Sequence, residues 1–430
     1  MDSTAASLPP LVQTDGRTLV LGGVPAAELA RIYGTPLLVL DTEVLDANLA
    51  RFAALGSELG VDVCYAGKAL LVVALARRLA ATPLGLDVCS LGELLTAERA
   101  GFPPERIVMH GCAKTDAELD AALAGRAGRL VVDNREELER LAARAHPGRP
   151  LPILLRLNTG IEAHTHAFVR TGGEDSKFGI PLAEVDAALA AALAAPGLRL
   201  AGVHAHIGSQ IFEPEPFEAS LAVEFEVYAR ARALGAPLGE LIVGGGFGVD
   251  PQPGTARFDL AAALARLVAR RDLEAARHRI PPPRLGIEPG RSIVAEAGTS
   301  LYRVASVKRQ GTRKFAIVDG GLTDNPRPLL YGAYHHPELA GRSSLASYEE
   351  TTLSGRSCEN DEIVVAPLPA DLRSGDLVAL RTTGAYTFSM ANNYNRIPRP
   401  AVVFAGGGAH AVAVRRESLE EILLDDVDAG

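Results

Sequence analysis

Residues 85–110 read GLDVCSLGELLTAERAGFPPERIVMH. A short, mostly apolar run ends at Val88. A stretch rich in Leu, Glu, Ala and Arg follows, then a Gly-Phe-Pro-Pro break, then a second apolar run ending at Met109. Strand, helix, strand in so short a span is the repeating unit of a parallel α/β sheet, because parallel strands need a crossover connection. The same alternation extends in both directions, from about residue 61 to 290. Its apolar runs end at Ala66, Val88, Met109, Val132, Leu157, His206, Val243 and Ile287, with helical stretches between them at, for example, 90–100, 134–145 and 258–277. Eight such runs predict a (β/α)8, or TIM, barrel; a doubly wound open sheet is the alternative, and the count favours the barrel.

After about residue 298 the pattern changes. Val304–Val307, Phe315–Val318, Ile363–Ala366, Leu377–Leu380 and Ala401–Ala405 read as short strands with no helical stretch alternating between them. This predicts a second, mostly β domain, barrel- or sandwich-like. Strand-like segments at Thr18–Leu21 and Leu37–Leu40 are expected to join it. The expected division is therefore a barrel over 44–297 and a β domain made of 1–43 and 298–430.

The 430 residues are 47% hydrophobic, enough for large buried cores. Lys and Arg number 43 against 52 Asp and Glu, a net charge of −9 that argues against nucleic acid or an anionic membrane as the main partner. The four cysteines, at 64, 89, 112 and 358, form no CxxC pair, so neither a zinc site nor a redox motif is indicated. Reduced thiols in a cytoplasmic protein are the simplest reading. The first ten residues, MDSTAASLPP, lack a basic stretch followed by an apolar core, and no signal peptide is expected. The Ala-rich stretch 187–205 is broken by Pro196 and Arg199 and reads as helix then strand, not a membrane span.

Chemistry in such barrels sits just past the C-terminal ends of the strands. Those positions hold Lys68, Asp87, His110, Asn158, His206, Gly244 to Gly246, and Glu288. A single lysine is usually a surface residue, and a glycine run is usually a tight turn. Here the lysine stands between a strand and a helix, and Gly244-Gly245-Gly246 stands at the seventh strand end, where these barrels commonly bind phosphate. Glu288-Pro289-Gly290-Arg291 adds an acid and a base at the eighth. Together they suit a phosphate-bearing aldehyde cofactor, pyridoxal 5'-phosphate (PLP). Lys68 would hold the aldehyde as a Schiff base, the glycine amides with Ser209 and Arg291 would hold the phosphate, and Glu288 would keep a pyridine nitrogen protonated.

His204 and His206 flank Ala205 and are expected to diverge, one a satisfied core histidine and the other flat against the cofactor ring. His164 and His166 have no acidic or cysteine partner at ligand spacing, and no metal site is expected. Arg327, with Tyr331, lies in a Pro-flanked segment; its planar guanidinium is the preferred clamp for a carboxylate. Cys358, beside Glu359, suits a proton donor at the rim of a site.

These segments together resemble the diaminopimelate decarboxylases, within the alanine racemase-like (fold type III) PLP enzymes, from about residue 30 to 405. The strings that carry the resemblance are GLDVCSLGEL at 85–94, AHTHAFVRTG at 163–172, SKFGI at 176–180, HAHIGSQ at 204–210, GGGFG at 244–248, EPGR at 288–291, DNPRPLLYGA at 324–333, CE at 358–359 and GAY at 384–386. The resemblance implies decarboxylation of meso-2,6-diaminoheptanedioate at its D-centre to L-lysine and CO2. Lys68 would be the Schiff-base lysine, His206 would stack on the ring, and Glu288 would pair with the pyridine nitrogen. Asp87 would belong to the cofactor site, and Ser209, Gly244, Gly245, Gly246, Gly290 and Arg291 would hold the phosphate. Arg327, Tyr331 and Glu359 would bind substrate, with Arg291 and Tyr386 reaching both ligands. Cys358 and Glu359 would come from the second subunit of a homodimer with shared sites. The chain departs from the family at Leu70, at Cys112-Ala113 where an Asn pair is usual, and at Asn360. An ornithine- or lysine-like decarboxylase and a racemase-like PLP protein remain the alternatives.

Overall fold

A computed structural model of the chain describes residues 18–161, 176–252 and 258–428. Eight strands, β1 (Val61–Ala66), β2 (Gly85–Val88), β3 (Ile107–Met109), β4 (Arg129–Val132), β5 (Leu151–Asn158), β6 (Leu198–His204), β7 (Glu240–Ile242) and β8 (Arg284–Ile287), pair in parallel in chain order. β5 pairs with β6, and β8 pairs back with β1, so the sheet closes on itself as the predicted barrel. Inside it, Cys64, Val108, Val131, Leu154 and Ile242 form a dry apolar layer. That layer fills the lower barrel, and polar side chains gather above it, at the C-terminal strand ends.

Local chemistry fixes where each helix begins. Ser90 Oγ accepts the Glu93 N–H at 3.2 Å while Glu93 Oε2 accepts the Cys89 N–H at 2.6 Å. Thr115 and Glu118 form a reciprocal capping box, Glu118 accepting from the Thr115 N–H itself, and Asn134 Oδ1 accepts the Glu137 N–H at 2.9 Å. Each cap contributes on the order of 1 kcal/mol and starts a helix directly after a strand end, which holds the intervening turn in place. The helices Leu91–Arg99, Arg135–Arg144 and Leu260–His278 stand where helical stretches were expected. The Ala-rich stretch divides into the helix Val185–Ala194 and β6. Among the described residues no helix is long and apolar enough to cross a membrane.

The second domain is built on one long strand, Gly298–Gln310. It pairs antiparallel with Leu37–Asp41, Arg313–Val318 and Leu377–Arg381. Ala401–Gly406 adds to the far side of Leu37–Asp41 in parallel. Tyr302, Val304, Val318, Leu353, Leu368 and Val378 form its core. Among the strands here that were not expected, Tyr348–Ser354 reads YEETTLS and carries no apolar run, and Ala409–Val414 reads AHAVAV with no buried residue. The helix Ala26–Tyr33 and the helical turn Arg327–Tyr331 are among the departures from the expectation of strands alone; in the latter, Pro326 and Pro328 preset the backbone, and Gly332 ends it in the left-handed region.

Candidate active site

The strand ends enclose a cleft of two adjoining cavities, about 200 and 510 Å³. Lys68, His206 and Glu288 line both. Ser209, Gly246, Gly290, Arg291, Arg327, Tyr331 and Tyr386 line only the first, and Asp87, Cys89, His110, Arg156 and His204 only the second.

Close packing of three strand ends requires the glycine run. Gly246 has φ +109°, and a Cβ there would lie 2.1 Å from the Gly208 carbonyl oxygen; one on Gly245 would lie 1.9 Å from that of Glu288. Any side chain would push β6, β7 and β8 apart at the cleft. The Gly245 N–H also donates to His206 Nδ1 at 3.2 Å, which orients the imidazole. Burial, then the Lys68 charge, holds His206 well below the ordinary histidine value, so its ring is neutral.

His204 and His206 do not diverge. Alternate residues along a strand share a face, and both line the larger cavity. His204 Nε2 makes a 2.9 Å hydrogen bond with Glu288 Oε2, and His110 Nε2 lies 3.1 Å from Glu288 Oε1 and 3.6 Å from Asp87 Oδ1. Burial alone would raise Glu288, but His204 and His110 together bring it well below the usual carboxylate range. Burial and then the charge of Glu288 push Asp87 up to about 7. His110 is lowered by burial, yet Glu288 and Asp87 outweigh this and raise it to about 9. Burial lowers His204 to about 4.

The upper wall is cationic and aromatic. Arg291 Nη2 donates to Ser209 Oγ at 3.2 Å, and its guanidinium lies 4.8 Å from the Tyr386 ring centre. Arg327 lies 5.4 Å from the Tyr386 ring and 5.5 Å from the Tyr331 ring. Burial, then the nearby Arg291 charge, lowers Arg327 to about 10, and it stays cationic at neutral pH. Neither guanidinium has an ion pair with any described residue, and the Nε atoms of both, with Ser292 Oγ, are buried without a hydrogen-bond partner. Buried unpaired cations are costly, so this wall is built for anions. Tyr386, at φ +60°, donates its N–H to the Ala69 carbonyl at 2.8 Å, which fastens the roof beside Lys68.

Cys358 and Glu359 lie elsewhere. Both are exposed and line neither cavity. The Cys358 N–H donates to Asn395 Oδ1 at 3.1 Å, and Glu359 Oε1 accepts from Tyr394 at 2.6 Å. Gly244 and Gly245 support the site without lining it. Leu70 is buried, Cys112 and Ala113 line the larger cavity, and Asn360 is exposed. His164, His166 and the AHTHAFVRTG string lie outside the described residues. Sequence reasoning missed Arg156, which pairs with Asp133 at 3.2 Å and covers the Phe178 ring at 4.5 Å. A charged residue inside the apolar β5 run was the available signal. It also gave His110 and His204 no role, although His110 is a strand-end residue.

Barrel, strand-end lysine, glycine cradle and buried acid define a class of protein, and a family profile described as "Pyridoxal-dependent decarboxylase, pyridoxal binding domain" matches residues 46–295. Within that class the chain belongs to the diaminopimelate decarboxylase family. Over 413 residues it is 43% identical to the diaminopimelate decarboxylase of Actinosynnema pretiosum subsp. auranticum, covering 95% of this chain and 92% of that one. The crystal structure of diaminopimelate decarboxylase from M. jannaschi superposes with a TM-score of 0.88 at 30% identity over 96% of both chains. That of the Helicobacter pylori enzyme complexed with L-lysine gives 0.83 at 30% identity, over 92% of this chain and 98% of that one. The cofactor is PLP, and the buried polar groups left without partners suit it: Arg291 Nε and Ser292 Oγ are donors that a phosphate would accept from, and Glu288 Oε1, buried without an aligned donor, is an acceptor that a ring N–H would meet.

Proposed function

We propose that this protein decarboxylates meso-2,6-diaminoheptanedioate at its D-centre, giving L-lysine and CO2. The observation that carries this reading is the second buried guanidinium. Arg291 beside Ser209 suits the phosphate, and Arg327 remains for another anion in the same cavity. The distal carboxylate of a dicarboxylic diamine meets that need; the ammonium of ornithine or lysine would face Arg327 with like charge. Lysine in the H. pylori structure is the product this reaction would leave.

PLP, when bound, supplies an electron sink for the pair left behind as the carboxylate departs. Lys68 supplies the amine for its attachment. Glu288, held ionised by its histidine neighbours, would hold the proton at the ring nitrogen, and neutral His206 would lie against the ring. Ser209, Gly244, Gly245, Gly246, Gly290 and Arg291 hold the phosphate. Arg327 and Tyr331 grip the distal end of the substrate, and Tyr386 closes the roof. Cys358 donates the proton that replaces CO2, and it does so in the partner's site with Glu359 beside it; their exposure outside this chain's own cleft supports that arrangement. The working unit is thus a cytoplasmic homodimer, each chain dividing into a barrel at 44–297 and a β domain made of 1–43 and 298–430.

The test is to supply the holoenzyme with meso-diaminoheptanedioate, ornithine or lysine and to measure CO2 release alongside D/L exchange. CO2 with L-lysine from the first substrate alone is expected. CO2 from ornithine at equal kcat/KM, or exchange without CO2, would displace this reading.

A further inference from the structure

Glu288 is surrounded by three groups to which the mechanism gives unequal parts. Its Oε2 is taken by His204 along a proper hydrogen-bond line. Its Oε1 has His110 Nε2 at 3.1 Å but no aligned donor. The same His110 nitrogen is 3.6 Å from Asp87 Oδ1, another buried acceptor without an aligned donor. The two imidazoles meet edge to face, 5.0 Å between centres. Residues from the ends of β2, β3, β6 and β8 thus form one buried belt beneath the ring site, with Lys68 and Arg156 as the other charges facing it.

We propose that His204 and His110 are positioning residues for the cofactor's ring nitrogen: His204 ties down Oε2 so that Glu288 presents Oε1 to the ring, and His110 stands as a cation between Glu288 and Asp87. This deepens the reading above and rests on the assignment of Glu288 to the ring nitrogen. The second role follows from the two carboxylates. Confined in one low-dielectric space they repel, and a cation between them offsets that repulsion. With His110 charged there, Glu288 stays ionised opposite one ring N–H⁺, while Asp87 is pushed up to about 7 and holds a proton part of the time. The surroundings leave His110 charged and His204 neutral at pH 7, although both contact the same carboxylate. His204 therefore needs only a donor, whereas His110 needs its charge.

One substitution separates the two roles, because glutamine keeps an N–H donor and carries no charge. His204→Gln and His110→Gln are prepared as holoenzymes with PLP labelled by nitrogen-15 at the ring nitrogen. His204→Gln is expected to keep the parent's ring-nitrogen resonance, and His204→Leu to move it. His110→Gln is expected to move the resonance toward the unprotonated value. It should also lower kcat by about tenfold or more with KM changed less than about twofold, the signature of an interaction used in the transition state rather than in binding. Loss of bound PLP from His110→Gln alone, at unchanged circular dichroism, counts with the shift. Identical behaviour of the two glutamine variants overturns the proposal. Glu288→Gln is the control. If it leaves the resonance unmoved, the Glu288 assignment has failed; if it moves the resonance and His110→Gln does not, only the present inference has failed.

Discussion

The floor of the cleft, from Lys68 round to Glu288, is made by strand ends of one barrel, whereas its upper wall, with Arg327, Tyr331 and Tyr386, hangs on loops of the second domain. Ladder hydrogen bonds on both sides and a packed apolar layer below hold the floor. Single hydrogen bonds hold the wall segments instead, among them the Tyr386 N–H to the Ala69 carbonyl at 2.8 Å. Asp361 accepts the Leu322 N–H at 2.8 Å and the Ser357 hydroxyl at 2.7 Å, and so ties the Arg327 segment to the Cys358 loop. On the reading proposed above, the floor would hold the cofactor. The wall would admit and release the substrate, and its Cys358 loop lines neither cavity. Rigid elements suit the first task, and loops between rigid elements suit the second.

The largest effect should come from the floor. Lys68→Ala is expected to lower kcat by about a thousandfold or more, since both covalent attachment and a proton-transfer group are lost. Borohydride reduction followed by peptide mapping should label Lys68 in the parent and no residue in the variant. Label elsewhere in the parent would move the attachment point and break the contrast between the two halves.

Arg327→Lys tests the wall. It keeps the charge but loses the planar fork, and a loss of ~1.4 kcal/mol or more lowers kcat/KM for diaminoheptanedioate about tenfold or more. The cofactor absorbance should not change, because Arg327 is assigned to substrate. A variant that loses PLP, or one that handles the substrate as well as the parent, removes the distal-carboxylate role.

The same contrast governs how far the chain could be read before its structure was known. The barrel was legible because strand ends in parallel α/β folds are marked by abrupt changes of residue type: GLDVCS, IVMH and IVGGG each pass from apolar to polar or glycine within a residue or two. Glu288, Lys68 and the glycine run could be placed on that frame by position alone. The belt was less legible, because its residues meet across four strands, and spacing along the chain does not report which strand ends are neighbours across a closed barrel. The expected divergence of His204 and His206 failed on the strand's own period of two. In the second domain Tyr348–Ser354 escaped because its Glu and Thr residues leave no apolar run, although it is paired on both sides. The division of labour proposed for Arg291 and Arg327 rests on their burial without an ion pair among the described residues and on the Ser209 hydroxyl beside Arg291, none of which spacing along the chain reports.

Mixing inactive Lys68→Ala with inactive Cys358→Ala tests whether the wall is completed in trans. Random exchange gives half hybrids, each with one intact site, so about a quarter of the parent activity should return. No recovery after exchange is confirmed by mass spectrometry of tagged subunits would place both residues in one chain's site.

The smallest effect concerns the support behind Arg327. His335 is buried, and burial followed by the Arg327 charge lowers it to about 4. An unfolded histidine titrates near 6.5. Between these values the unfolded chain binds a proton that the folded one refuses, so stability falls as the pH drops from about 6.5 through about 4, by at most roughly 1.4 kcal/mol per pH unit. Below about 4 the folded histidine is protonated too and the slope ends. His204 and His206 titrate in the same direction, so His335→Gln should remove only one proton's share of the slope in urea unfolding followed across this range. If the slope is unchanged, His335 does not carry the acid sensitivity of the wall.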